Sequence, residues 1–269
     1  MASAPSPVDH RIGLDAGVAT VTLDRPQSYN ALTADLLESL LITFCALHDE
    51  ASVRAIVFTG AGKGFCSGQD LNDRRSLPDE HADISRAVRE RYNPLLETLI
   101  TFEKPIVAAI NGVAAGAGLG LALACDFRIV AEDAIFTTAF AKIGLACDAG
   151  TTLLLPHIVG YAHALELCLT GDRFDAQRAN ALGLVTQLVP AGSALVEAER
   201  FAQRLAAGPA SLAYIKRELV HNALGDVRAA LAFEAEMQSL AGKTEDFRTG
   251  LAAFTAKQQP KFRGPRASS

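Results

Sequence analysis

No stretch of this sequence is long and apolar enough to cross a bilayer. The longest candidates, around Ile106–Ile110 and Leu119–Cys125, are short or interrupted by Gly and Asn, whereas a spanning helix needs about 20 apolar residues. The opening Met1-Ala-Ser-Ala-Pro-Ser-Pro7 has neither a basic start nor an apolar run, so no secretory signal is expected. The five cysteines form no CxxC pair and are odd in number and widely spaced. That excludes a disulfide framework and points to a reducing, cytoplasmic setting, with most of them as core fillers. The six histidines include no HExxH or HxxxH pair, so no metal site is expected. The net charge of −5 argues against a nucleic-acid partner.

What remains is ordinary globular composition, 49% hydrophobic and 20% charged over 269 residues, enough for a sizeable core. The charge is unevenly spread. From Phe247 to Ser269 there are five basic residues (Arg248, Lys257, Lys261, Arg263, Arg266) and no acidic one, which leaves −10 on the preceding 246. Such a segment can meet an anionic ligand or stand as a solvated tail, and charge alone does not choose.

The first half alternates strands and helices. Val18–Leu23, Ala55–Thr59, Pro105–Ile110 and Phe127–Ala131 read as strands. Thr33 reads as the cap of a helix whose stripe is Leu36, Leu37, Leu40, Leu41 and Phe44. After about Thr151 the pattern turns helical, with Asp175 capping a helix through Leu182. Further helices follow from Pro209 to about His221, near Val227–Leu240, and over Glu245–Lys257. The expected organisation is a polar, disordered leader over 1–11, an α/β core over 12–195 with a largely parallel sheet, and a helical C-terminal region over 196–269.

Two glycine-rich segments each follow a strand directly: Gly62-Lys-Gly-Phe-Cys-Ser-Gly-Gln-Asp-Leu71 and Asn111-Gly-Val-Ala-Ala-Gly-Ala-Gly-Leu-Gly120. Loops at the carboxyl ends of strands are where α/β sheets bind ligands. Small residues there let backbone N–H groups approach a ligand, and two such groups make an oxyanion hole. The same glycines also serve tight turns and helix–sheet packing. Gly116-x-Gly118-x-Gly120 competes as a dinucleotide fingerprint. It begins five residues after Ile110 and has the wrong internal spacing, which disfavours nicotinamide binding. A serine nucleophile at Ser67 is equally disfavoured, because Cys-Ser-Gly is not the GxSxG elbow.

These two segments resemble the oxyanion-hole segments of the crotonase (enoyl-CoA hydratase/isomerase) superfamily. The resemblance continues through Ala124-Cys-Asp126, Lys142-Ile-Gly-Leu145, Leu155–Gly160, Leu169-Thr-Gly171, Ala179–Val189, Thr244-Glu-Asp246 and Gly250–Phe254. It covers about Ile12 to Arg263. It implies a spiral of ββα turns, a helical C-terminal trimerisation region, a homo-trimer or hexamer, and a coenzyme A thioester as substrate with no further cofactor. Carried over by motif, the oxyanion donors are the N–H groups of Ser67 and Ala117. The coenzyme A contacts are Arg25, the Gly68-Gln69-Asp70-Leu71 run, and Lys257, Lys261 and Phe262 reaching a neighbouring subunit's ligand. The charged Asp73–Tyr92 stretch corresponds to the family's variable acyl-pocket segment.

The departures bear on the chemistry. Hydratases of the superfamily use two glutamates, and those positions here are Gly120 and Phe140, neither of which moves a proton. One carboxylate remains in the motif, Asp148, where isomerases carry Asp or Glu. The stretch Ala139–Asp148 resembles the ring-epoxide isomerases of phenylacetate degradation in particular. A single carboxylate suits a double-bond shift, in phenylacetate or fatty-acid catabolism, and the apolar neighbours Phe140, Leu145 and Cys147 are expected to raise its pKa. Its competing role is as N-cap of a helix over about 149–158. Three other functions stay open at this point. One is hydration in the broad family sense. A second is aryl-CoA dehalogenation with Asp148 as nucleophile, which the absence of tryptophan disfavours. The third is a vestigial CoA-binding trimer.

Overall fold

Strand β2 (Val18–Leu23) sits beside β3 (Ala55–Gly60), β5 (Ile106–Ile110), β7 (Phe127–Ala131) and β10 (Gln187–Val189) in a six-stranded sheet of order β1-β2-β3-β5-β7-β10. Its strands are parallel except for the edge hairpin of β1 (His10–Asp15) with β2. β3 and β5 are buried at every position, as a parallel strand covered on both faces must be. This computed structural model describes residues 9–73 and 84–262.

A second sheet, not foreseen from the sequence, has the order β4-β6-β8-β9: β4 (Gly64–Cys66), β6 (Val113–Ala115), β8 (Ile135–Thr137) and β9 (Phe174–Asp175). The chain repeatedly leaves the large sheet, adds one short strand to the small sheet, and then turns away. The clearest turn runs from β5 through β6 into helix α4 (Ala117–Ala124). This is the expected ββα spiral. Both glycine-rich segments are therefore crossovers with a strand inside them, and β6 is why Gly116 lies too far from β5 for a dinucleotide turn.

One face of the large sheet packs on α1 (Ala34–Asp49), on α3 (Asn93–Thr101), which continues α2 (Ser85–Ala87) through a π-helical turn over Val88–Tyr92, and on α4. Thr33 Oγ1 accepts from Leu36 N–H at 3.2 Å and starts α1 as expected. α4 is buried on all sides, and a Cβ on Gly118 would stand 2.2 Å from the Cys66 carbonyl. Gly118 is thus a packing glycine. The other face is covered by α8 (Ala194–Ala206), whose Ala194, Ala198, Ala202 and Ala206 meet Val57, Val107 and Ile129.

Several expected boundaries move. β1 begins at His10, so His10 and Arg11 are strand rather than leader, and residues 1–8 lie outside the described residues. Position 195 falls inside α8, which belongs to the core, so the separate helical region starts beyond it. The helical stretch after Thr151 includes α5 (Thr151–Val159), α6 (Tyr161–Thr170) and α7 (Ala176–Ala181), but β9 and β10 return within it to the two sheets. Asp175 Oδ1 caps α7 through Arg178 N–H at 2.8 Å. The last three helices are α9 (Ser211–Leu224), α10 (Val227–Gly242) and α11 (Glu245–Thr255). Among the described residues no helix is long and apolar enough to cross a membrane, and no cluster of His, Cys, Asp and Glu has the form of a metal site.

Candidate active site

The two glycine-rich crossovers meet. A Cβ on Gly68, whose φ is +89°, would lie 2.8 Å from the Ala115 carbonyl and 3.4 Å from Ala117 N. Only glycine tolerates both the backbone angle and the contact. Gly116, φ +52°, turns the chain from β6 into α4. Ala117 is the first residue of that helix, so its N–H has no carbonyl one turn back to bond and carries the positive end of the helix dipole.

Ser67 is a different case. Its N–H donates to the Tyr29 carbonyl at 2.9 Å and its hydroxyl to the Ser28 carbonyl at 2.9 Å. The expected oxyanion role of Ser67 is therefore overturned, because its donor is spent inside the protein. The next peptide offers an alternative. Gly68 C=O accepts from Leu32 N–H at 2.8 Å and Asp70 N–H donates to Leu32 C=O at 2.9 Å. A trans peptide points its N–H opposite to its C=O, so the Gln69 N–H is directed away from Leu32.

Asp148 is 4% exposed. Its Oδ2 accepts from Gln238 Nε2 on α10 at 2.6 Å, and its Oδ1 has no hydrogen-bond partner. Burial, offset by the Gln238 bond and reinforced by the nearby charge of Glu234, pushes its pKa up to about 7, as the apolar setting predicts. The cap expected of Asp148 is absent. The cap residue of α5 is Gly150, and the helix start is held by a side chain from far along the sequence. Glu234 Oε2 accepts from Gly150 N–H at 2.7 Å, and its Oε1 accepts from Thr152 N–H and Oγ1–H at 2.7 and 2.6 Å. Between them Ala149 and Gly150 both take left-handed φ, +54° and +72°. That kink aims Asp148 inward, and Ala149 is a non-glycine residue in a costly conformation.

Gly120, one helical turn after Gly116, faces this kink. A Cβ there would stand 2.4 Å from the Ala149 carbonyl. The position leaves no room for a side chain: the Asp148 segment packs where the resemblance puts a hydratase's glutamate. Phe140, at the second hydratase position, is buried, and its ring edge lies 4.0 Å from a Cβ built on Gly116.

The proposed coenzyme A residues divide. Arg25 pairs with Asp70 at 2.9 Å and with Asp9 at 3.2 Å, and donates to the Ala31 carbonyl. Its charge is neutralised within the protein, so it acts as a brace for the Gly68-Gln69-Asp70-Leu71 run. Asp70 Oδ1 also takes the Asn72 N–H at 3.0 Å. Arg25 and Asp70 line one cleft of about 1320 Å³. Phe262 lines another of about 1140 Å³ with Leu145, Ala146, Lys243 and Arg248, beside the Asp148 loop. The two clefts share no lining residue among the described residues. Lys257 and Lys261 are exposed, and Arg263 and Arg266 lie outside the described residues.

Of the remaining polar groups, Asp126 is structural: it accepts from Ile106 N–H at 2.8 Å and Lys216 Nζ at 2.7 Å. The Cys66 thiol, buried, is pushed up to about 12 and is no nucleophile. Glu234 and Gln238 were missed by sequence reasoning, since nothing local marks them.

The family described as enoyl-CoA hydratase/isomerase matches residues 13–265. The chain is 39% identical over 253 residues to the 1,2-epoxyphenylacetyl-CoA isomerase of Escherichia coli (strain K12), covering 93% of this chain and 97% of that one. It is 40% identical over 255 residues to a Rhodobacter capsulatus protein named "Probable enoyl-CoA hydratase", covering 94% and 97%. Among solved structures, an enoyl-CoA hydratase from Mycobacterium avium subsp. paratuberculosis K-10 superposes with a TM-score of 0.85 at 33% identity, over 95% of this chain and 99% of that one.

Proposed function

We propose that this chain, which belongs to the enoyl-CoA hydratase/isomerase family, moves a double bond within an acyl-CoA thioester rather than adding water. The observation that carries the reading is Asp148: one buried carboxylate with an unpartnered oxygen and a pKa near 7, in a chain whose two hydratase positions are Gly120 and Phe140. A base works best when its pKa lies near the operating pH.

In this reading the thioester carbonyl oxygen sits between the N–H of Ala117 and the N–H of Gln69. Asp148 Oδ1 removes a proton from the α-carbon of a β,γ-unsaturated thioester. The electron pair spreads onto the carbonyl oxygen, which the two N–H groups stabilise as an enolate. Asp148, now protonated, returns the proton to the γ-carbon, leaving the α,β-unsaturated product and the carboxylate as before. The dyad needed to activate water and protonate carbon together is missing.

Mass-spectrometric screening of the purified protein against β,γ- and α,β-enoyl-CoA thioesters tests this. The expected result is isomer interconversion without an 18 Da gain. Robust hydration of crotonyl-CoA would overturn it.

The assembly in this reading is a trimer or hexamer, in which Lys257 and Lys261 reach the ligand of a neighbouring subunit. Supporting it, α9 buries no residue within the chain and exposes Tyr214, Ile215 and Leu219. Light scattering should return a multiple of three chains, and a mass of 28.4 kDa would refute it.

A further inference from the structure

The π-helical turn over Val88–Tyr92 is the irregular point of an otherwise continuous helix. Such single turns concentrate at functional sites. This one ends in Tyr92, which is 2% exposed and whose hydroxyl has no hydrogen-bond partner. Buried tyrosines ordinarily place that hydroxyl in a bond, and leaving it unmade is destabilising.

The surroundings place the helix that carries this hydroxyl. Leu96, one turn further along the same helix face, has its Cδ1 3.8 Å from a Cβ built on Gly150, so this face abuts the segment that follows Asp148. The neighbouring Asn93 donates to the Leu231 carbonyl at 2.9 Å and ties the helix to α10, which carries Gln238 and Glu234. Burial first, then the charges of Asp148 and Cys66, hold the Tyr92 phenol far above its usual pKa. It therefore stays an O–H donor, on the helix that packs against the segment following Asp148. The unpartnered buried atoms also include Asp148 Oδ1, Thr151 Oγ1, Gln238 Oε1 and Asn93 Oδ1. A plain hydrocarbon chain satisfies none of these groups.

We infer that Tyr92 is a specificity-determining residue whose hydroxyl donates to an oxygen carried by the acyl group itself, so that this site prefers hydroxy-, epoxy- or oxo-acyl-CoA thioesters over unsubstituted ones. The inference rests on the placement of the acyl group beside Asp148 in the proposed function, but it makes a separate demand. It concerns binding, and it does not require turnover.

Calorimetry on unreactive thioesters tests it. Butyryl-CoA is compared with its 2-, 3- and 4-hydroxy derivatives on the wild type and on Tyr92→Phe, with thermal midpoints recorded for both. The wild type should bind at least one hydroxy derivative about 10-fold tighter than butyryl-CoA, the scale of one well-made hydrogen bond. Tyr92→Phe should bring that ratio to about one and leave butyryl-CoA affinity unchanged. Equal binding of all four ligands by the wild type overturns the inference, and so does a preference that survives in Tyr92→Phe. Binding without oxygen preference sinks only this inference, whereas failure of every thioester to bind would sink the acyl-CoA reading as well.

Discussion

Asp148→Asn should lower the isomerisation rate by about 10²–10⁴-fold, the usual contribution of a positioned general base, while the protein stays folded. The substitution preserves shape and keeps an oxygen to accept from Gln238 Nε2, which now bonds Oδ2 at 2.6 Å. What it removes is a group able to take a proton. In the wild type, kcat/KM should rise with pH through the region of about 7, because the base must be ionised and its pKa is about 7. The groups bearing on that value are Gln238, which lowers it, and Glu234, which raises it. A wild-type rate in Asp148→Asn would end the mechanism proposed here.

The same variant should be more stable than the wild type at pH 8. An aspartate has an unfolded pKa near 4, and here burial raises the folded value to about 7. The folded state therefore holds a proton that the unfolded state releases between about pH 4 and pH 7. Wild-type stability falls across that window relative to a neutral side chain, and above it the full cost of a buried, ionised carboxylate is present. Asparagine carries no such cost. The thermal midpoint of Asp148→Asn should exceed that of the wild type by several degrees at pH 8, with the gap closing toward pH 4. A cap role would have given almost no change, since asparagine caps a helix about as well as aspartate.

That sign divides what could be read locally in the sequence from what could not. Thr33 and Asp175 were legible as caps because an N-cap bonds a backbone N–H only two or three residues ahead, and both do so. Strands β2, β3, β5 and β7 were legible because apolar β-branched runs between turn residues have few other uses. The short strands β4 and β6 were not, since three residues inside a glycine-rich loop carry no periodicity. Asp148 looked like a cap from its neighbours, and the resemblance marked it as catalytic. The deciding fact was the bond at Gly150, made by a residue 84 positions away. Ser67 failed for a similar reason: its N–H is consumed by Tyr29, whose left-handed φ of +51° no pattern announced. Gly120 was legible as a missing acid, but not as the contact surface for Ala149.

Glu234→Ala should be the most destabilising single change in the site. The wild-type carboxylate accepts from two backbone N–H groups and one hydroxyl at the start of α5, all within 2.6–2.7 Å. Burial raises its pKa, and those donors act against the rise. Because each partner is a donor, the ionised form fits the site. Truncation leaves the buried Gly150 N–H and the part-buried Thr152 N–H without their acceptor and removes a negative charge from a helix N-terminus. A loss of about 1–3 kcal/mol for a donor left buried without its acceptor follows, readable as a lower denaturation midpoint. Glu234→Gln separates support from electrostatics. The amide retains an acceptor oxygen, so the loss should be smaller, yet the charge that helps raise Asp148 disappears. The acid limb of the wild-type pH–rate profile should then move to lower pH in Glu234→Gln, because Asp148 ionises more easily. An unshifted limb in a folded variant would show that Glu234 holds the Ala149–Gly150 kink mechanically and leaves the base untuned.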